Sequence, residues 1–269
     1  MTVIGSTEAA AYLVFDAESV PDGRLLRLTK YPGEAITDDE AVARAQAEAL
    51  EASGDTSDFI PVTFHVPVAV CVAPVNREYE LMDLTALGAP AYHPRAITTA
   101  FWQLAVRAGT IVSFNGRGFD VPLLEINAFR YGVPVPVHFT ERYSTRDRYG
   151  RKHFDLMDWL CNYGASRLNG GLNLLSKLLG KPGKMGTTGG QVYDLFRAGN
   201  LPAINHYCSF DVLDTYFVFL RTQVLMGKLT IKREQEIVGQ TKQWLESHVL
   251  EQPHLMTYVE NWGDWNPWP

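Results

Sequence analysis

Residues 11–18 read AYLVFDAE, a compact apolar run that ends in two acids two positions apart. In a strand Asp16 and Glu18 project to the same face. Two carboxylates leaving a buried run side by side raise each other's pKa unless a cation shares them. Read alone, the pair also fits two solvated acids. Asp120 follows a second apolar run in IVSFNGRGFD, where residues 115–118 form a turn that hands the chain to a helix. As a helix N-cap it would contribute about 1 kcal/mol and need no other role. Tyr207 and Asp211, in INHYCSFDVLDTYFVFLR, are four residues apart and share one helical face. That pairing too is common by chance. Neither a Gly-rich phosphate loop nor His spacing suited to zinc is present, so the acids are where the chemistry has to be sought.

These residues need elements to carry them. Residues 11–18 read as a buried first strand, 66–74 and 78–84 as two more, and 110–114 (TIVSF) as a short buried strand. Helical periodicity runs from Pro94 to Gly109, from Asp120 to Tyr131, over 172–179, and over 204–224 and 231–249. Residues 153–160 read as a strand-to-helix junction. Strands first and helices alternating later give a mixed α/β architecture. Residues 33–58 carry eight acids against Arg44 alone, with an Ala-rich middle, and read as a solvated helical insertion with no part in binding. The loop GKPGKMGTTGG at 180–190 holds five glycines and two lysines, too many glycines to be rigid by itself.

A length of 269 residues suits one soluble domain with a small appendage, and a net charge of -6 argues against coating nucleic acid through bulk positive charge. Locally the balance reverses. Residues 141–184 hold nine Lys/Arg against four Asp/Glu, as a groove tracking one strand would need. The uncharged stretch 59–76 contains three prolines and reads as a buried strand rather than a membrane span. Three cysteines without CxxC or ligand spacing, and no secretory signal, point to a reduced, cytoplasmic protein that avoids membranes.

The conjunction D-x-E, N-x3-F-D, Y-x3-D, in that order, resembles the three motifs of the DEDD family of 3'-5' exonucleases. It is most similar to the stand-alone bacterial and phage proteins related to the proofreading domain of family B DNA polymerases. FIPVTFHVPVAVCVA, HFDLMDWL and LNLLSKLLGKPGKMG extend the resemblance. The acidic insertion and the chain after about Lys228 lie outside it. The resemblance implies a ribonuclease H-like fold, a five-stranded mixed sheet flanked by helices, over residues 1–228, with a C-terminal helix and Trp-rich tail over 229–269.

It further implies a two-metal-ion hydrolysis with Mg2+ or Mn2+. Asp16 would bridge both ions, Glu18 and Asp211 would complete the one carrying the attacking water, and Asp120 would hold the second. Tyr207 would orient that water. His206, five residues before Asp211, has the spacing of the histidine subclass; adjacent helix residues diverge by about 100°, so only one of the two can face the acids, and Tyr207 is expected to. The implied substrate is the 3' end of DNA, chiefly single-stranded. RNA ends are the enzymatic alternative, and a catalytically silent nucleic-acid-binding protein is the alternative of another class. Lys184 is a candidate phosphate contact, as against a solvated lysine. Asn115 and Phe119 could meet the terminal nucleotide, with Phe119 equally placed to be core. Cys208 reads as packing. Trp262, Trp265 and Trp268 are either packed on their own domain or a dimer mate, or form a docking peptide for a replication or repair partner.

Overall fold

The computed structural model describes residues 10–186 and 189–267, so Trp268 lies outside the described residues. Five strands make one mixed sheet: β1 (Tyr12–Pro21), β2 (His65–Val75), β3 (Thr85–Ala86), β4 (Thr110–Ser113) and β5 (His153–Asp155). Their order is β3-β2-β1-β4-β5. The β1–β2 and β2–β3 pairs are antiparallel, and β1–β4 and β4–β5 are parallel. The helices are α1 (Gly23–Thr29), α2 (Asp38–Ala52), α3 (Pro94–Ala105), α4 (Asp120–Tyr131), α5 (Pro136–Thr140), α6 (Leu156–Leu160), α7 (Gly171–Leu178), α8 (Val192–Arg197), α9 (Leu201–Leu225), α10 (Ile231–His248) and α11 (Leu255–Glu260). This is the ribonuclease H-like arrangement expected: a five-stranded mixed sheet flanked by helices.

The period of two in β1 sorts its side chains onto two cores. Leu13, Phe15 and Ala17 pack with Ile97, Phe101 and Leu124 of α3 and α4. Val14 packs on the other side, with Val212, Tyr216 and Phe219 of α9. Each large side chain buried this way contributes roughly 1.5–3 kcal/mol. Helix α9 is apolar nearly all round because it lies between the sheet and the C-terminal helices. Ile237 and Leu245 of α10 and Leu255 and Tyr258 of α11 join the same cluster as Val14, so residues after 228 complete one core of the sheet.

One strand expectation is corrected. Residues 78–84 do not form a strand; only Val75 and Leu81 make an isolated bridge, and the third strand is the short β3 at 85–86. Asn76 turns the chain, its amide donating to Glu80 O and its side chain binding Glu80, while Tyr79 takes a left-handed φ of 67°. Asp83 then accepts from the amide of Leu84, diverting it from a ladder. The acidic segment 33–58 is helical, as expected, with Thr37 and Glu40 forming a capping box. It is not merely solvated: Ala41, Val42 and Ala45 bury against Leu26, Tyr31 and Ile60. Among the described residues no helix is long and apolar enough to cross a membrane, and Cys71, Cys161 and Cys208 are buried and free.

Candidate active site

Because Asp16 and Glu18 share the face of Val14, β1 aims both at α9. Pairing with β4 stops at Val14–Val112, so the acids stand on the part of β1 that runs on beyond β4. The backbone there is pinned to the helix by two thiols: Cys208 donates to Asp16 O at 3.3 Å, and Cys71, the register partner of Asp16, donates to Asn205 O at 3.4 Å. Cys208 therefore does pack, and its neighbour Tyr207 is held against the acids. The Tyr207 hydroxyl lies beside the carboxylate of Asp211, close enough for each to shift the other's titration. Carboxylate oxygens of Asp16, Glu18 and Asp211 all lie within 4.8 Å of one another.

Asp120 is the first residue of α4 and not its N-cap, which is Phe119 without a side-chain cap bond. Its buried carboxylate lies close to the backbone of Ala17, which places the start of α4 against β1. Gly116 permits this approach, because a Cβ there would collide with Ser113 Oγ and come within 3.3 Å of Asp120 Oδ2. Asp16, Glu18, Asp120, Asn115 and Phe119 line one cavity of about 460 Å3. Tyr207 and Asp211 open onto a neighbouring one of about 190 Å3.

Burial dominates the electrostatics. It raises the pKa of Asp16 well above the carboxylate range, aided by Asp120, Glu18 and Asp211, and does the same to Glu18, aided first by Asp211. Asp120 is pushed up to about 7 and Asp211 to about 6, in both cases chiefly by desolvation. Burial and the three nearby carboxylates also raise Tyr207, so its phenol remains a neutral donor. Lys184 is the opposing charge, close enough to lower both Glu18 and Asp211. Its amide is held by Asn173 Oδ1 at 2.9 Å. All-oxygen ligands converging with too few cations to neutralise them suit a hard divalent metal.

The structure thus brings together Asp16, Glu18, Asp120, Tyr207, Asp211 and Lys184. His206 turns elsewhere: its ring stacks on His254 at 4.1 Å and 5°. Phe119 is half-buried and lines the cavity, 5.9 Å from the ring of Phe59. Gln46 and Asp58, beside Phe59, bring the acidic segment onto the cavity wall, contrary to the expectation that it stands apart from the site. Three further residues escaped the sequence reading. Asp155, at the end of β5, accepts from the amides of Asn115 (3.0 Å) and Arg117 (2.8 Å) and so fixes the turn beside the cavity. Tyr258 donates to the buried Asp214 at 2.6 Å, one turn beyond Asp211. Lys181 is buried under Trp262, 4.3 Å from its ring centroid. An acid closing a parallel strand, as in HFD, was the available signal for Asp155; nothing local marked the other two.

No curated protein matches the sequence. A family model described as predicted 3'-5' exonuclease related to the exonuclease domain of PolB matches residues 57–262. The match takes in Asp120, Tyr207 and Asp211 and begins after β1 with its two acids. It also continues through α10 and α11, which the motif resemblance had left out. Spanning most of the chain and both helical layers of the fold, it establishes that the protein belongs to this family of predicted 3'-5' exonucleases.

Proposed function

We propose that the protein is a metal-dependent 3'-5' exonuclease of the tyrosine subclass that shortens DNA, preferentially single-stranded, from its 3' end. The observation that carries this reading is the convergence of carboxylate oxygens of Asp16, Glu18 and Asp211 within 4.8 Å, with Tyr207 beside them. Asp16, Glu18 and Asp211 would hold one divalent cation, and Asp120 with Asp16 would hold a second. Two bound Mg2+ or Mn2+ ions would provide the charge compensation and the activated water that phosphodiester hydrolysis requires.

The protein's own groups do the positioning. Tyr207, kept neutral, offers its hydroxyl beside the ligand carboxylates, where it can align the attacking water by hydrogen bond. Lys184 faces the same point and can meet a phosphate oxygen, while Asn115 and Phe119 offer a polar edge and a ring to the last nucleotide. Three free buried cysteines suit a reducing cytoplasm.

Digestion of 3'- and 5'-labelled single-stranded DNA, duplex DNA and RNA with Mg2+ or Mn2+ tests the reading. Stepwise loss from the 3' end, absent in Asp16→Ala, is expected, with single-stranded DNA consumed fastest. Internal cleavage, or full activity in Asp16→Ala, would overturn it, and faster loss of RNA would reassign the substrate.

A further inference from the structure

A second cavity, of about 880 Å3, adjoins the carboxylate cavity, and Asn115 lines both. Arg117, Arg146, Arg148 and Arg167 line it, against Glu125, Asp155 and Asp158. Arg117 is committed to the fold: its guanidinium donates to the carbonyls of Thr145, Asp147 and His153 and fastens residues 145–147 to β5. Arg146 pairs with Glu125 at 3.0 Å and Arg148 with Asp158 at 2.6 Å, both at the solvent edge. Arg167 is exposed and has no ion-pair partner among the described residues.

At the rim, beside Arg148 and Gly164, two tyrosines project into water. Tyr149 is 74% exposed and Tyr163 41%, and their ring centroids are 5.2 Å apart at 59°. Neither belongs to a core cluster, so the fold does not require them as packing. The fold nevertheless holds them in place. Arg148 links the two loops, donating to Asp158 and to Tyr163 O at 3.3 Å. Asn162 and Tyr163 both adopt left-handed φ, 49° and 56°, before Gly164 at 96°. Such a conformation is unfavourable for side-chain-bearing residues and persists where the surroundings impose it.

Adjacent exposed rings beside arginines, next to a site for one phosphodiester, form the combination that binds unpaired nucleotides: every base has a face to stack, and the guanidinium groups follow the backbone. We propose that Tyr149 and Tyr163 are a stacking platform for the unpaired bases of a single-stranded nucleic acid whose 3' end enters the carboxylate cavity past Asn115. The direction of the strand rests on the exonuclease reading; the stacking does not. Bases inside a duplex have both faces covered by the neighbouring pairs, so the platform selects single strands, and its stacking is indifferent to the sugar.

Fluorescence anisotropy with labelled oligothymidylates and oligouridylates of two and eight nucleotides, in EDTA, tests this without hydrolysis. The unmodified protein should bind the eight-mers much more tightly than the two-mers. Tyr149→Ala/Tyr163→Ala should lose about tenfold or more in affinity for the eight-mers, while Tyr149→Phe/Tyr163→Phe, which keeps both rings, should hold within about twofold. No loss in the alanine variant, or equal loss in the phenylalanine variant, would overturn the platform. A protein that binds strands through these rings but releases no 3' nucleotide with Mg2+ would instead refute the exonuclease reading and leave the platform standing.

Discussion

At the scale of single residues, Tyr207 and His206 divide cleanly. The first sits among the carboxylates beside Asp211, and the second stacks on His254. Removing only the Tyr207 hydroxyl therefore strips the site of its neutral donor without opening the core. Tyr207→Phe should lower kcat by about 10²-fold or more, the usual scale for a positioned proton or hydrogen-bond donor, with KM little changed. His206→Ala should stay within a fewfold of the parent. Steady-state kinetics on a 3'-labelled oligonucleotide measures both, and a large loss confined to His206→Ala would reverse the assignment. Asp16, Glu18, Tyr207 and Asp211 were legible in the sequence because their spacings are local: two along a strand, four along a helix. Asp120 was legible as a position, but its alternative as an N-cap was decided only by the fold, which makes Phe119 the N-cap and sets the Asp120 carboxylate near Ala17, 103 positions away. Phe59 was missed because it opens the uncharged stretch that read as a buried strand, whereas the structure leaves it half exposed on the cavity wall.

At the scale of elements, the C-terminal segment is a strap across the lysine-bearing loop. Trp262 packs on Phe217 and Tyr258 and covers Lys181, whose burial lowers its pKa to about 8. The amide of Gly263 donates to Gly180 O at 2.9 Å, and a Cβ on Gly180 would meet Asp264 O at 2.5 Å. Lys184 lies four residues farther along the same loop. The tryptophans at steps of three could not reveal this, since a packed strap and a docking peptide have the same sequence pattern. The same limit applied to residues 78–84, whose apolar content suggested a strand while Asn76, Glu80 and Asp83 were building turns. Trp262→Ala should cost about 3 kcal/mol by removing a packed, half-buried ring. Hydrogen exchange at 180–184 should quicken more than at β1. Protection of the loop equal to that of the parent would show that it does not depend on the strap.

At the scale of the whole molecule, folding gathers carboxylates that repel one another, and this makes stability depend jointly on pH and metal. Asp120 and Asp211 have ordinary values near 3.8 and are raised to about 7 and about 6, while Asp16 and Glu18 are raised well above their usual range. Over the interval from roughly pH 4 to 7 these four carboxylates hold more protons in the folded chain than in the unfolded one, so their contribution to the free energy of unfolding falls as pH rises in the metal-free protein. His65, His153, His206 and His254, whose pKa burial lowers, work in the opposite direction at the acid end of the interval, so the carboxylate contribution is read by comparison with a carboxylate variant. A divalent cation takes the deprotonated carboxylates of the folded state only, so its stabilisation grows over the same interval. At a hundredfold excess over its dissociation constant the cation would contribute about 2.7 kcal/mol, or roughly 5–10 °C in Tm. Melting curves with EDTA and with 10 mM Mg2+ or Mn2+ should nearly coincide at pH 5 and separate by that amount at pH 8. Asp16→Asn should raise the EDTA melting temperature at pH 8, because one buried charge is gone, and should erase most of the metal-dependent difference. A metal response of equal size at both pH values, or one that survives Asp16→Asn intact, would show that the cation binds elsewhere.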